Sequence, residues 1–208
     1  EIYIGDEDTA RKKQAKIIVD PIDGSNNAVR GIPFCCVSIA YAEGNSLEEI
    51  IKAVIIDLNT ADIYWSEKGK GAYLNDEKIM VSENDLSDPI MFEVDFESHE
   101  IEQNIKTYQP IIDKLYRPRI MGSCALSLCL IAKGSLDGLI DFRESSRLMD
   151  IAAAYLILQE AGGNLYSRLG VELDIELTID AQIPLVASNA KLEPFLKQEL
   201  RKIAEKKN

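Results

Sequence analysis

Short apolar runs separated by turn residues fill the first part of the chain. Residues 17–20 (Ile-Ile-Val-Asp) form an apolar run closed by Pro21, as expected of a buried strand entering a turn. Residues 34–42 and 50–57 predict two further strands, and the chain turns after Asn59-Thr60 into another over 62–67 in hairpin fashion. Gly-marked turns between Lys68 and Ile79 predict one more short strand. The sum is a largely antiparallel sheet. A second region opens near Leu86, where residues 90–95 alternate like a strand and 100–115 form a weakly amphipathic helix. Ser123 predicts an N-cap, Lys133 a last turn and Gly134 a stop, so a helix fills the interval, and 136–142 predict a strand. From Asp150 a nearly all-apolar helix runs to Gly162-Gly163, and a helix apolar on every side packs between layers. A last helix over 194–204 places Leu192, Phe195, Leu196, Leu200 and Ile203 on one face. These blocks predict a layered α/β architecture in two parts, residues 1–85 and 86–208.

Length and charge narrow the function. A chain of 208 residues suits one domain, or two sharing an interface. Its formal net charge of -12 argues against a nucleic-acid backbone or an anionic membrane as main partner. A small anion stays compatible, because a bound divalent cation reverses the local field. No apolar run approaches the ~20 residues of a membrane helix. The opening Glu1-Ile-Tyr-Ile-Gly-Asp-Glu-Asp does not resemble a signal peptide, and the missing initiator Met leads us to expect residues before it. Cys35, Cys36, Cys124 and Cys129 form no CxxC pair and lie in apolar stretches, which predicts small buried hydrophobes in a reducing cytoplasm, with a redox or metal role as the alternative. The single His99 sits in a polar segment, which argues against a His-based triad or a multi-histidine zinc site.

The stretch Asp20-Pro-Ile-Asp-Gly-Ser-Asn-Asn carries the clearest chemistry. Asp20 and Asp23, three residues apart in a proline-stiffened turn at a strand end, can converge on one hard cation. The Ile22 carbonyl is a further oxygen donor of the kind Mg2+ takes. Gly24 and Ser25 open a short helix whose N–H groups suit a phosphate. The competing reading is a plain Asp-Pro/Asp-Gly turn. Asp150 alone reads as an N-cap, but it follows Arg143 and Arg147, which suit phosphate or sugar-phosphate binding beside a carboxylate. Gly122, Ser123 and Cys124, at another helix start, offer either an anion site or simple capping.

Together these segments resemble the inositol monophosphatase family of lithium-sensitive, magnesium-dependent phosphatases. The family pattern DP(I/L)DGT-x-N is matched by Asp20-Pro-Ile-Asp-Gly-Ser-Asn-Asn, with Ser25 in place of Thr. The pattern WD-x-x-A, running into EAGG, is matched by Met149-Asp-Ile-Ala-Ala-Ala through Glu160-Ala-Gly-Gly, with Met149 in place of Trp. Gly-Lys-Gly-Ala-Tyr-Leu-Asn and Gly-Ser-Cys-Ala also sit where the family has similar segments. The likeness runs from residue 17 onward and is greatest to the archaeal branch, which acts on inositol 1-phosphate and fructose 1,6-bisphosphate.

The resemblance implies an alternating α-β-α-β-α sandwich, a homodimer, a cytoplasmic location, and two or three Mg2+ ions. It makes Asp20, Asp23, Asp150 and the Ile22 carbonyl metal ligands. Gly24 and Ser25 would meet phosphate, Gly122, Ser123 and Cys124 the substrate side, and Arg143 the substrate hydroxyls. The family also has preceding helices, with an acidic partner for the Thr/Ser hydroxyl and a Glu-Glu metal motif. Glu1 is the candidate remnant of that pair and Glu7 the poorer one, and the acidic partner has no counterpart here. The implied reaction is direct hydrolysis of a small sugar or inositol phosphomonoester by water, with Asp20 and Ser25 acting on that water and no covalent phosphoenzyme. The rival readings are a nucleotide phosphatase acting on 3′-phosphoadenosine phosphate or NADP, and a truncated, non-catalytic module.

Overall fold

A computed structural model describes residues 2–4, 15–96, 98–143, 146–173, 175–178 and 183–207. The first strand, β1 (Ile2–Ile4), pairs with β2 (Lys16–Asp23), and a one-and-a-half-turn helix α1 (Ser25–Arg30) follows. Strands β3 (Cys36–Ala42), β4 (Ile50–Asp57), β5 (Ile63–Glu67), β6 (Ala72–Leu74) and β7 (Glu77–Ile79) complete an antiparallel sheet whose spatial order is its chain order. Every strand here pairs with its sequence neighbour in antiparallel fashion. The Gly-marked segment yields two short strands where one was expected. Stacked Trp65 and Tyr73, 4.5 Å between ring centroids, join β5 to β6 across the sheet.

The remaining elements are β8 (Met91–Asp95), α2 (Ile101–Ile112), β9 (Arg117–Arg119), α3 (Cys124–Ala132), β10 (Gly138–Asp141), α4 (Leu148–Glu160), β11 (Gly163–Ser167), β12 (Leu185–Asn189) and α5 (Glu193–Lys207). Their strands form a mixed sheet in the order β11-β12-β10-β8-β9, with β8 parallel to both β10 and β9. The sequence pattern gave no hint of β9, β11 or β12, which are short and carry polar or small residues. Strand β8 does not alternate in burial as its sequence suggested. Phe92, Glu93 and Val94 are all buried, because helices cover both faces of this sheet.

Helices α3 and α4 lie between the sheets. Helix α4 packs on β2 through β6 on one side and on β11 on the other, and is buried from Leu148 to Leu158 apart from Met149. Its all-round apolar sequence therefore has the expected physical cause. One core joins the inward residues Ile18, Ala40, Ile55 and Tyr64 of the first sheet to Ala153, Leu156 and Ile157 of α4. A second core joins Phe92, Ile140 and Val186 to Ile111 of α2 and Leu196 and Leu200 of α5. The layers of the described residues run sheet, helices, sheet, helices, which are four of the five layers of the expected α-β-α-β-α sandwich. On the outward side of the seven-stranded sheet, Ile17, Ile63 and Trp65 are exposed.

Candidate metal centre

Strand β2 does not stop at Pro21. It continues to Asp23 through a bulge, in which Asp20 pairs with Ser38 and Asp23 with Cys36, so three steps on β2 face two on β3. In a regular strand, residues three apart point to opposite faces. The extra residue corrects that parity, and both Asp20 and Asp23 turn to the buried side. Pro21 fits here because the missing N–H falls at the ladder's interruption. The Ile22 amide donates to Asp20 Oδ1 at 3.0 Å, which fixes that carboxylate within the bulge.

Gly24 follows with φ of +77°, and a Cβ there would lie 2.8 Å from the Phe34 carbonyl oxygen. The adjacent α1 buries Asn27, whose Nδ2 donates to Phe34 O at 2.9 Å and Met121 O at 2.8 Å. Gly122, also at positive φ, lets the second loop approach, since a Cβ there would meet Asn27 Nδ2 at 3.1 Å. The aspartate loop and the 121–123 loop are thereby clamped together. Ser123 is the N-cap of α3, as expected, accepting from Leu126 N. Its hydroxyl also donates to Asp23 Oδ2, and the Ala125 amide donates to the same oxygen at 2.8 Å.

Asp150 comes from the other end of the chain. It is not the N-cap of α4, as its sequence position suggested. Arg147 holds that place, and Asp150 sits three residues on, its Oδ2 accepting from the Arg147 amide at 3.0 Å. Two residues before Asp150, Leu148 is already helical and buried, so packing of this first turn against the core extends the helix backward. Arg147 Nη2 also reaches Asp150 Oδ1 at 3.0 Å and lies 3.9 Å from Asp20 Oδ2.

One oxygen from each of Asp20, Asp23 and Asp150 lies within 4.8 Å of the others, and all three residues are buried. Such a cluster repels itself. Burial, above all, raises Asp20 above the usual carboxylate range, against the Ile22 hydrogen bond and with the Asp150 charge adding to the shift. Burial likewise pushes Asp23 up to about 6, although Ser123 and Ala125 pull the other way. Asp20 Oδ2 is buried and accepts no hydrogen bond among the described residues. An oxygen-only donor set with an orphaned, desolvated carboxylate oxygen fits a hard divalent cation.

The other expected site residues fall in distinct places. Ser25 is exposed at the first position of α1, two residues from Asp23, and Ile22 is exposed in the bulge. Cys124 is buried at the start of α3, where burial pushes its thiol far up. Arg143 engages Asp141 through Nε and Nη2, at 3.0 and 2.9 Å, and Asp95 at 3.2 Å, so it is tied to the ends of β10 and β8. Glu1 and Glu7 lie outside the described residues. All four cysteines are buried and free, and His99 is exposed in a single helical turn.

Glu93 escaped the sequence reading, and Cys36, expected as a buried hydrophobe with a redox or metal role as the alternative, lies beside the site. Cys36 Sγ approaches Asp23 Oδ2 at 4.0 Å and Ser123 Oγ at 3.9 Å, with burial holding it as a thiol. Glu93 on β8 accepts from the amides of Met121 and Gly122, at 3.2 and 3.4 Å, and so anchors the loop that carries Ser123. An acidic residue inside the apolar run Ile90-Met-Phe-Glu-Val was the available signal.

The profile of the inositol monophosphatase family matches residues 1–205. The chain belongs to this family. It is 36% identical over 193 residues to the fructose-1,6-bisphosphatase/inositol-1-monophosphatase of Methanothermobacter thermautotrophicus, a match covering 89% of this chain and 68% of that enzyme. It is 34% identical over 201 residues to the bifunctional NADP phosphatase/NAD kinase of Methanococcus maripaludis, covering 89% of this chain and 35% of that protein. The chain thus spans about two thirds of the first relative and about a third of the second. Among solved structures, the Thermotoga maritima inositol monophosphatase superposes with a TM-score of 0.75 at 27% identity, over 92% of this chain and 70% of that one. A Pyrococcus horikoshii protein with similarities to inositol-1 monophosphatase gives a TM-score of 0.74 at 30% identity, over 91% and 73%. Among the described residues, no helix is long and apolar enough to cross a membrane.

Proposed function

We propose that the chain hydrolyses a small phosphorylated sugar or inositol, with inositol 1-phosphate and fructose 1,6-bisphosphate as its substrates. The observation that carries this reading is the buried cluster of Asp20, Asp23 and Asp150, with one oxygen of each within 4.8 Å of the others and Asp20 Oδ2 accepting no hydrogen bond among the described residues. Asp20, Asp23 and Asp150 would hold Mg2+, with the Ile22 carbonyl beside them in the bulge. When bound, the cation supplies the charge that activates water and offsets the developing negative charge of the leaving group.

The chain's own groups do the rest. Ser123 and Ala125 hold Asp23 in one rotamer, so the donor set is preorganised rather than assembled on binding. Ser25, exposed two residues beyond Asp23, would orient a water against the phosphorus. Arg147, half-exposed at the rim, supplies a guanidinium to the phosphate oxygens. The buried thiols of Cys36 and Cys124 stay protonated and offer no rival nucleophile. The free cysteines support a cytoplasmic setting.

A side-by-side assay tests the substrate class: phosphate release with Mg2+ from inositol 1-phosphate, fructose 1,6-bisphosphate, NADP and 3′-phosphoadenosine phosphate. The first two should turn over fastest. Faster release from either nucleotide would replace the sugar reading, and no release from any of the four would favour a non-catalytic module.

A further inference from the structure

Arg147 places a positive charge where a cation would have to sit. Both Asp150 oxygens are engaged by this one residue, Oδ2 by its amide and Oδ1 by Nη2, each at 3.0 Å. The same Nη2 is 3.9 Å from the Asp20 oxygen that accepts no hydrogen bond among the described residues. A Mg2+ ion bound through those two carboxylates needs their oxygens at about 2.0–2.1 Å. A guanidinium nitrogen bonded to the Asp150 oxygen competes for its lone pair, and its charge, 3.9 Å from Asp20 Oδ2, repels the ion. The side chain is 56% exposed, so its head has open solvent to move into without disturbing the core.

Resting on the metal-centre reading above, we propose that the Arg147 guanidinium is the acidic cluster's built-in counterion, and that a divalent cation must displace it to bind. Before the ion arrives, Arg147 screens the repulsion between Asp20 and Asp150 and keeps the donor oxygens in place. Once displaced, its head is free to face the phosphate. Arg147 thereby weakens metal binding in the absence of substrate while preserving the shape of the site.

Mn2+ binding to the full chain, followed by electron paramagnetic resonance without substrate, tests this. Arg147→Met should bind Mn2+ about five- to tenfold more tightly than the wild type, the scale of a coupling between two ligands of one site. Unchanged or weaker affinity in Arg147→Met overturns the proposal. A second measurement needs no variant: phenylglyoxal modification of Arg147, read by peptide mass spectrometry, should rise when Mn2+ is added. A rate that is unchanged or falls with Mn2+ overturns it equally. Asp20→Asn separates the two levels of inference. If it retains wild-type Mn2+ affinity, the metal centre itself is misassigned; if it loses affinity while Arg147→Met matches the wild type, only the counterion role fails.

Discussion

Buried carboxylates set the chemistry at the scale of single residues. Asp23 is held by a serine hydroxyl and an amide at the start of α3, yet burial still raises its pKa to about 6. Glu93, 1% exposed, is pushed up to about 7 by burial, which its bonds from the Met121 and Gly122 amides only partly oppose. A carboxyl raised in the folded state binds its proton more tightly there than in the unfolded chain. Its stabilising contribution is full below the ordinary value of 4.5 and is lost as pH rises through about 7. The loss amounts to about 3 kcal/mol once Glu93 is ionised. Glu93→Gln removes that titration, so urea unfolding in EDTA should show the variant gaining on the wild type between pH 5 and pH 8. Asp23 shifts in the same direction in both proteins and cancels. Parallel pH profiles would show that Glu93 does not carry the charge penalty. Asp20 and Asp23 were legible in the sequence, since two carboxylates around a proline-stiffened turn announce themselves. Glu93 was not, because period-2 alternation assigns every second residue to solvent, and only the second helical layer makes this strand buried on both faces.

Element boundaries were less legible than the elements themselves. The strand before Asp20 was expected to stop at Pro21, yet the bulge carries it on, and that extension is what aims both aspartates inward. Helix α4 was expected to begin at Asp150, whereas tertiary packing of Leu148 starts it earlier and leaves the carboxylate facing the cluster. The turn between β2 and α1 offers a direct test of how tightly this element pair is specified. Gly24 and Gly31, at either end of α1, share a positive φ, but only Gly24 has backbone within reach of an added Cβ. Gly31→Ala should pay the left-handed cost alone, about 1–2 kcal/mol. Gly24→Ala adds the contact with Phe34 O and should be destabilised further, by about 2 kcal/mol beyond that. Equal losses in chemical denaturation would mean that the two loops are not clamped as described.

Across the whole molecule, the site joins parts far apart in sequence. Asp20 and Asp23 come from the seven-stranded sheet, and Asp150 comes from a helix that packs across five strands of that sheet. Local pattern could not bring them together, because no periodicity encodes how α4 crosses the sheet; the likeness to a family supplied the link that the fold now shows in space. The acidic net charge of -12 is no obstacle to an anionic substrate when the local field is set by a cation and by Arg147. The most direct measurement is phosphate release by the full chain across a Mg2+ titration, for the wild type, Asp20→Asn and Asp150→Asn. The expected result is a saturable Mg2+ dependence in the wild type and a loss of at least about a hundredfold in each variant, with circular dichroism unchanged. Release that persists in EDTA, or a wild-type rate in either folded variant, would contradict the assignment of these carboxylates as the metal centre.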